Sequence, residues 1–276
     1  NISILKKKKY KFINKIFSKD FIINIPTFLI KKIINRFKIY FVPTYLNKLP
    51  DMNHPVLHSL AEQTKYFHNF SSTKKQSSLM TCPYLIHSLL MIFEKNKTFN
   101  FLDVGGENID FFLELKKEFK NVKYYVFNQE KVLENLKVLK DEHNLIDFNI
   151  VHSSSEIIEN NYEFINFGSC IQYFNNYDEL LKNIIKVSKN YILVSGTHLY
   201  NSEVRELRKH IVAKQVNLFP IILFCYFLNK EFFLDFFIKS GYSVVFEKNN
   251  ITENVNYRNF YNLFEDIQYT DILFKK

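Results

Sequence analysis

The sequence predicts an α/β protein: a mostly parallel, seven-stranded sheet with helices on both faces, an antiparallel C-terminal edge hairpin and a helical N-terminal extension. Three observations predict it. From Phe99 onward, short apolar runs rich in β-formers alternate with amphipathic stretches, the pattern of parallel strands buried on both faces. Five such units precede one more helix and two closing strands, which are joined by a polar stretch from Lys248 to Gln268 and so read as an antiparallel pair. The charge, finally, separates the two parts. Residues 1–48 hold twelve Lys or Arg and a single acid, Asp20, whereas the remainder holds 25 basic and 27 acidic residues.

The N-terminal segment, residues 1–80, mixes lysines with aromatic and aliphatic residues, as in "KKKKYKFINKIFSKDFIINIPTFLIKKIINRFKIYF". Two readings stand for residues 1–48. One is an amphipathic segment resting on an anionic membrane surface; the other is a lysine-biased helical lobe whose ammonium groups are solvated. Pro43, Pro50 and Pro55 mark an irregular connection, and "FSSTKKQSS" a polar loop. The main domain is expected over 81–276. Pro83 opens a helix carrying Leu85, Ile86, Leu89, Leu90 and Phe93 at helical spacing. "FNFLDV", "VKYYVF", "IDFNIV", "YEFINFG" and "NYILVSG" follow as strands. Between them lie helices presenting Val132, Leu133, Leu136 and Leu139, then Leu180, Leu181, Ile184 and Ile185. An insertion at about 199–228 is expected as a cap. A helix with Phe232, Phe233, Phe236 and Phe237 and the strands "YSVVFE" and "YTDILF" complete the chain.

Composition excludes several classes. Only four of the 37 cationic residues are Arg, the usual side chain for bidentate phosphate and base recognition, so no nucleic-acid partner is expected. Cys82, Cys170 and Cys225 are too scattered for a disulfide framework or a zinc knuckle, and His54, His58 and His68 too loosely spaced for a metal site. A reducing, cytoplasmic setting is expected; contact at the inner face of the membrane belongs only to the first of the two readings of residues 1–48. No apolar stretch reaches the roughly 18 residues of a membrane-spanning helix. The chain does not begin with Met, which reads as a piece of a longer frame.

Glycine is the scarcest punctuation: two of the five in the chain sit side by side in "NFLDVGGENIDFF", straight after the first strand. In an open parallel sheet, polar ligands bind beyond the carboxyl ends of the strands, where a glycine turn lets backbone come close. Gly168, Gly196 and Gly241 fall at comparable strand ends. The spacing Gly105-Gly106-Glu107-Asn108-Ile109 is not the G-x-G-x-x-G of a dinucleotide site. The strand count, with its closing hairpin, resembles instead the Rossmann-like class I S-adenosylmethionine-dependent methyltransferases.

"FLDVGG", "YVFNQEKV", "FINFGSCIQYFNNYDELL" and "AKQVNLFP…FLNKEFFLDFFIKSGYSVV" resemble a family of bacterial methyltransferases encoded beside surface-polysaccharide genes. The resemblance runs from about Phe99 to the C-terminus. It implies a methyl transferase using S-adenosyl-L-methionine, with a small-molecule or glycan hydroxyl as acceptor and a place in polysaccharide biosynthesis. It implies that Asp103, Gly105, Gly106 and Glu107 lie at the methionine part of the cofactor. Asn128 stands where an acid usually takes the ribose hydroxyls, with Gln129 beside it, and Ser153 and Ser154 stand near the adenine. Gly168 and Ser169 fall under the cofactor, Gln172 and Tyr173 toward the acceptor, and Gln215 matches an acceptor-side signature. His198, two residues past Gly196, is the candidate general base for a hydroxyl.

Two alternatives remain open. Glu107, Ile109 and Asn128 replace small, glycine and acidic residues of the family pattern, which suits a non-catalytic binding module of the same fold. A nucleic-acid methyltransferase would use the basic N-terminus, but Ser169-Cys170-Ile171-Gln172 stands where such enzymes carry an Asp/Asn-Pro-Pro-Tyr/Phe motif.

Overall fold

The backbone hydrogen bonds of "FNFLDV" run to two parallel neighbours, and this central strand organises everything around it. A computed structural model describes residues 27–37, 39–51, 83–107, 109–201, 208–249, 257 and 266–276. The expectations for "FSSTKKQSS", for His54, His58 and His68, and for residues 1–26 lie outside the described residues. By contact the chain divides into two units. The smaller comprises Asn1–Asn53, His198–Asp235 and Glu253–Tyr269, and the larger comprises His54–Thr197, Phe236–Thr252 and Thr270–Lys276.

The strands β2 (Phe99–Val104), β3 (Val122–Phe127), β4 (Phe148–Val151), β5 (Tyr162–Gly168), β6 (Ser188–Asn201), β9 (Ser243–Asn249) and β10 (Asp266–Lys275) stand in the order β4-β3-β2-β5-β6-β10-β9. They belong to the larger unit except for the last four residues of β6, from His198, and the first four of β10, up to Tyr269. The four pairings from β4 to β6 are parallel and β9 runs antiparallel to β10, as the edge hairpin requires. The chain moves outward from β2 to β4, then returns to lay β5 on the other side of β2. The topological switch point is therefore the gap between β2 and β5.

The helices are α2 (Pro83–Ile92), α3 (Ile109–Glu118), α4 (Glu130–Glu142), the single turn α5 (Ser154–Ile157), α6 (Tyr177–Val187) and α7 (Lys230–Lys239). Their apolar stripes face inward: Leu85 and Leu89 of α2, Leu115 of α3, and Val132, Leu133, Leu136 and Leu139 of α4 are all buried. Burial at this spacing, rather than intrinsic propensity, makes helices of these lengths stable.

One face of the sheet is an aromatic ladder. Phe148, Tyr124, Phe101, Phe164 and Tyr191 occupy matching register positions on five successive strands. Neighbouring rings stack, with centroids 5.4, 5.4, 5.7 and 6.3 Å apart. Each in-register pair adds about 0.2–1 kcal/mol beyond its burial, and Phe93 stacks on Phe99 one step below at 4.1 Å.

The described part of the smaller unit begins with α1 (Thr27–Phe37) and β1 (Phe41–Pro43). Ile30 and Ile34 of α1 pack with Ile39, Val42, Val216 and Phe219. β1 runs antiparallel to β7 (His210–Gln215), which runs antiparallel to β8 (Leu223–Asn229). The stretch expected as a cap insertion, 199–228, thus contains two strands. It also corrects the reading of the fifth strand: β6 does not stop at Gly196 but continues to Asn201, because Leu199 and Tyr200 find new partners in Leu228 and Asn229.

Candidate functional site

β2 carries Asp103 to the carboxyl edge of the sheet, in register with Asn166 of β5. An acid buried to 5 % exposure needs donors. It has two: the Tyr124 hydroxyl donates to Oδ2 at 2.5 Å, and the Asn166 amide donates to Oδ1 at 2.8 Å. Burial raises the Asp103 pKa from 3.8 to about 6, and the two hydrogen bonds only partly oppose it. The same burial, with the neighbouring carboxylate, raises the Tyr124 hydroxyl well above its ordinary range, so it remains a donor.

The chain then turns. Gly105 has φ +80°, a conformation costly for any residue with a Cβ, and its N–H donates to the Phe127 carbonyl at 2.7 Å. The space a side chain would take is filled from within. A Cβ on Gly105 would lie 2.4 Å from Cys170 Cβ, and one on Gly106 would lie 2.5 Å from Asp103 Oδ2. The pair therefore does two packing tasks: Gly105 lets the segment after β5 close onto the turn, and Gly106 seats the buried carboxylate. Cys170 completes the join, its thiol donating to the Val104 carbonyl at 3.0 Å. Burial first, and then Asp103, pushes that thiol's pKa well up, so it is no thiolate nucleophile.

Asn128, one residue past β3, spans the next connection. Its Nδ2 donates to the Gly106 carbonyl at 2.9 Å, and its Oδ1 accepts from the Gln129 N–H at 2.7 Å. The side chain expected at the ribose is thus committed to holding the glycine turn. Gln129, half-buried at the start of α4, makes no side-chain capping bond. Glu107 is half-buried. Ser153 caps α5, its Oγ accepting from the Glu156 N–H at 3.2 Å, and Ser154 is exposed. Ser153 therefore has a local role, two strands out from β2.

After β5 the chain is open to solvent at Gly168 and Ser169. Ser169 has φ +56° and is held there by its N–H donating to the Ser195 carbonyl at 2.9 Å. Gln172, 1 % exposed in the short 3-10 turn Ile171–Tyr173, donates from Nε2 to the carbonyls of Ser169 and Gly196 at 2.9 and 3.1 Å. It ties the end of β5 to β6. Its Oε1, like Asn166 Oδ1, is buried without a hydrogen-bond partner among the described residues. Tyr173 is half-buried beside it.

The structure brings Asp103, Gly105, Gly106, Asn128, Gln129, Gly168, Ser169, Gln172 and Tyr173 to the carboxyl ends of β2, β3 and β5. His198 and Gln215 belong to the smaller unit. His198 lies inside β6 rather than at a strand end, 2 % exposed, ringed by Phe41, Phe227, Tyr257 and Tyr269 and sharing a 2.7 Å hydrogen bond with the Tyr257 hydroxyl. Burial lowers its pKa to about 3. Such an imidazole is a far weaker base than one poised near neutrality. Gln215 is half-buried on β7, in register with Phe41.

Tyr124, Asn166 and Cys170 were not singled out by sequence reasoning. A signal existed for Asn166: a lone amide inside "YEFINF", a strand otherwise apolar enough for the sheet centre, demands a polar partner. The arrangement as a whole offers main-chain turns and two unsatisfied acceptor oxygens, but no activated nucleophile.

No family model matches the sequence, and no curated protein matches it. Solved structures do match by shape. A protein of Galdieria sulphuraria assigned as a sarcosine dimethylglycine methyltransferase has a TM-score of 0.52 at 11 % identity, over 72 % of this chain and 85 % of its own. Coclaurine N-methyltransferase, bound to N-methylheliamine and S-adenosylhomocysteine, has a TM-score of 0.49 at 14 % identity over 98 % and 100 %. A Burkholderia thailandensis 1,6-didemethyltoxoflavin-N1-methyltransferase, with its substrate and S-adenosylhomocysteine, has 0.47 at 9 % over 85 % and 98 %. The strand order and the first of these likenesses together give the conclusion: this protein has the Rossmann-like fold of the class I methyltransferases.

Proposed function

We propose that the protein transfers a methyl group from S-adenosyl-L-methionine to a small-molecule acceptor, a hydroxyl of a surface glycan or its precursor. One observation carries the proposal: two tight turns, Gly105-Gly106 and Gly168-Ser169, meet across the switch point of the sheet, joined by Cys170. That is where an open α/β sheet takes a nucleoside. The glycan acceptor rests on the sequence resemblance alone.

S-adenosylmethionine supplies the electrophilic methyl on its sulfonium, so the protein has only to bind, align and exclude water. The residues present suit that task. Gln172 Oε1 is an acceptor in want of a donor, and the cofactor's ammonium supplies one. Gln129 reaches toward the ribose, and the exposed main chain of Gly168 and Ser169 takes the adenosyl group. Asp103 and Asn128 act behind the turn and keep its shape. Gln172 and Tyr173 border the acceptor. His198, neutral and enclosed by rings, takes no proton in this reading.

Calorimetric titration with S-adenosylmethionine and S-adenosylhomocysteine tests it. Saturable binding is expected, weakened about tenfold by Gln129→Ala, the worth of one or two hydrogen bonds. Absence of binding at millimolar ligand overturns the proposal. Radiolabelled cofactor, incubated with cell lysate and fractionated into lipid, glycan, protein and RNA, identifies the acceptor. Because Asn128 is committed to main chain on both sides, a second reading has specific support: a binding module without transfer. Cofactor binding with no label in any fraction selects it.

A further inference from the structure

The formal charge is not shared between the two units. The stretches that make the smaller unit contain 18 Lys or Arg and 9 Asp or Glu, and the larger unit contains 19 of each. The entire charge of +9 therefore belongs to the smaller unit. Its described helix α1 is polarised in a particular way. Ile30 and Ile34 turn inward, while the exposed positions are Thr27, Phe28, Leu29, Lys31, Lys32, Asn35 and Arg36, with no acid in the helix. Phe28 is 67 % exposed and Leu29 39 %. The turn that α1 packs on, through Val216, Phe219 and Ile222, exposes two more aliphatic side chains, Leu218 and Ile221.

A solvated lysine face does not need a phenylalanine and three aliphatic residues in water beside it. Nor does phosphate recognition in nucleic acid, which favours Arg and planar stacking. Cations next to protruding apolar side chains match one surface, the headgroup region of an anionic bilayer. There, ammonium groups meet lipid phosphates and the apolar groups enter the acyl boundary. We infer that α1 and the turn Val216–Ile222 form a docking face for anionic membrane lipid. The inference rests on the smaller unit alone and stands whether or not methyl transfer does.

The test uses the full chain and sedimentation with vesicles, either of phosphatidylcholine or of phosphatidylcholine containing about 30 % phosphatidylglycerol. Binding is expected to the anionic vesicles only, and to weaken steeply between about 0.1 and about 0.5 M salt. Each lysine near the surface is worth about fivefold, so Lys31→Gln with Lys32→Gln should lower vesicle affinity about twenty- to thirtyfold. Phe28→Ser should lower it about tenfold. All three positions are exposed, and unchanged circular dichroism melting checks that the fold is intact. Met91→Ser, which removes an equally exposed apolar side chain from the larger unit, should change nothing. No binding to anionic vesicles overturns the inference, as does binding indifferent to Phe28→Ser or equally sensitive to Met91→Ser. Binding to duplex RNA without binding to vesicles overturns it too.

Discussion

Asp103 shows how much a single buried group sets. Its carboxylate is held by Tyr124 and Asn166, yet its pKa still rises to about 6, because two hydrogen bonds do not replace the hydration lost at 5 % exposure. A carboxyl whose folded pKa lies above its unfolded value of 3.8 holds its proton more tightly in the native state. Its favourable contribution is complete below about pH 4 and is lost as pH rises to about 6. The shift corresponds to about 3 kcal/mol. Asp103→Asn keeps the shape, and turning the Asn166 amide over lets its unpartnered Oδ1 accept from the new amide. The variant should therefore gain on the wild type by about 3 kcal/mol between pH 4 and pH 7 in urea denaturation, with no further gain above pH 7. A difference that does not change with pH would show that the group titrates normally. The sequence singled out Asp103 by its place before two glycines. Its partners were not, because a Tyr and an Asn 21 and 63 positions away become neighbours only when β3 and β5 flank β2.

At the scale of elements, the alternation of apolar runs and amphipathic stretches was enough to place the parallel strands and their helices. The buried stripe of α4 is the one its spacing predicts. Two features escaped it. The aromatic ladder depends on register, and five separate strands do not disclose register in their own sequences. β6 escaped because Gly196 reads as a stop. The glycine adopts φ +58° within the strand instead, with its N–H donating to Asp271 at 2.7 Å, and the strand continues. The glycine turn is the element whose construction can be tested directly. Gly105→Ala should cost about 3–4 kcal/mol, about 1 from the left-handed backbone and the rest from overpacking against Cys170. Cys170→Gly removes the Cβ that stands 2.4 Å away, so in that background the same change should cost only about 1 kcal/mol. The coupling in a double-mutant cycle, about 2–3 kcal/mol, measures how tightly the segment after β5 closes on the turn. Additive losses would mean that the two turns do not touch.

For the whole molecule, the division of charge and the division of structure coincide: a neutral unit built on the parallel sheet, and a basic unit whose sequence signal was composition rather than periodicity. Overall composition averaged the two and so pointed to neither; the charge of residues 1–48 marked only the first of the three stretches of the smaller unit, since 198–235 and 253–269 together hold 6 basic and 7 acidic residues. Ligand binding should respect the same division. A nucleoside that fits only the native larger unit stabilises it by mass action, by about 2.7 kcal/mol at a hundred times its Kd. In a chain of this size that raises the melting temperature by roughly 5 °C or more. S-adenosylhomocysteine should therefore lift the transition of the unit that carries Gly105 and Gly168, and the lift should grow with the logarithm of ligand concentration. An oxidised nicotinamide dinucleotide should produce no shift, because the G-x-G-x-x-G turn and the acid that follows it are both missing. A scanning-calorimetry series with the two ligands separates the outcomes. A shift with the dinucleotide alone would reassign the switch-point site to redox chemistry, and no shift with either would leave the fold without its nucleoside.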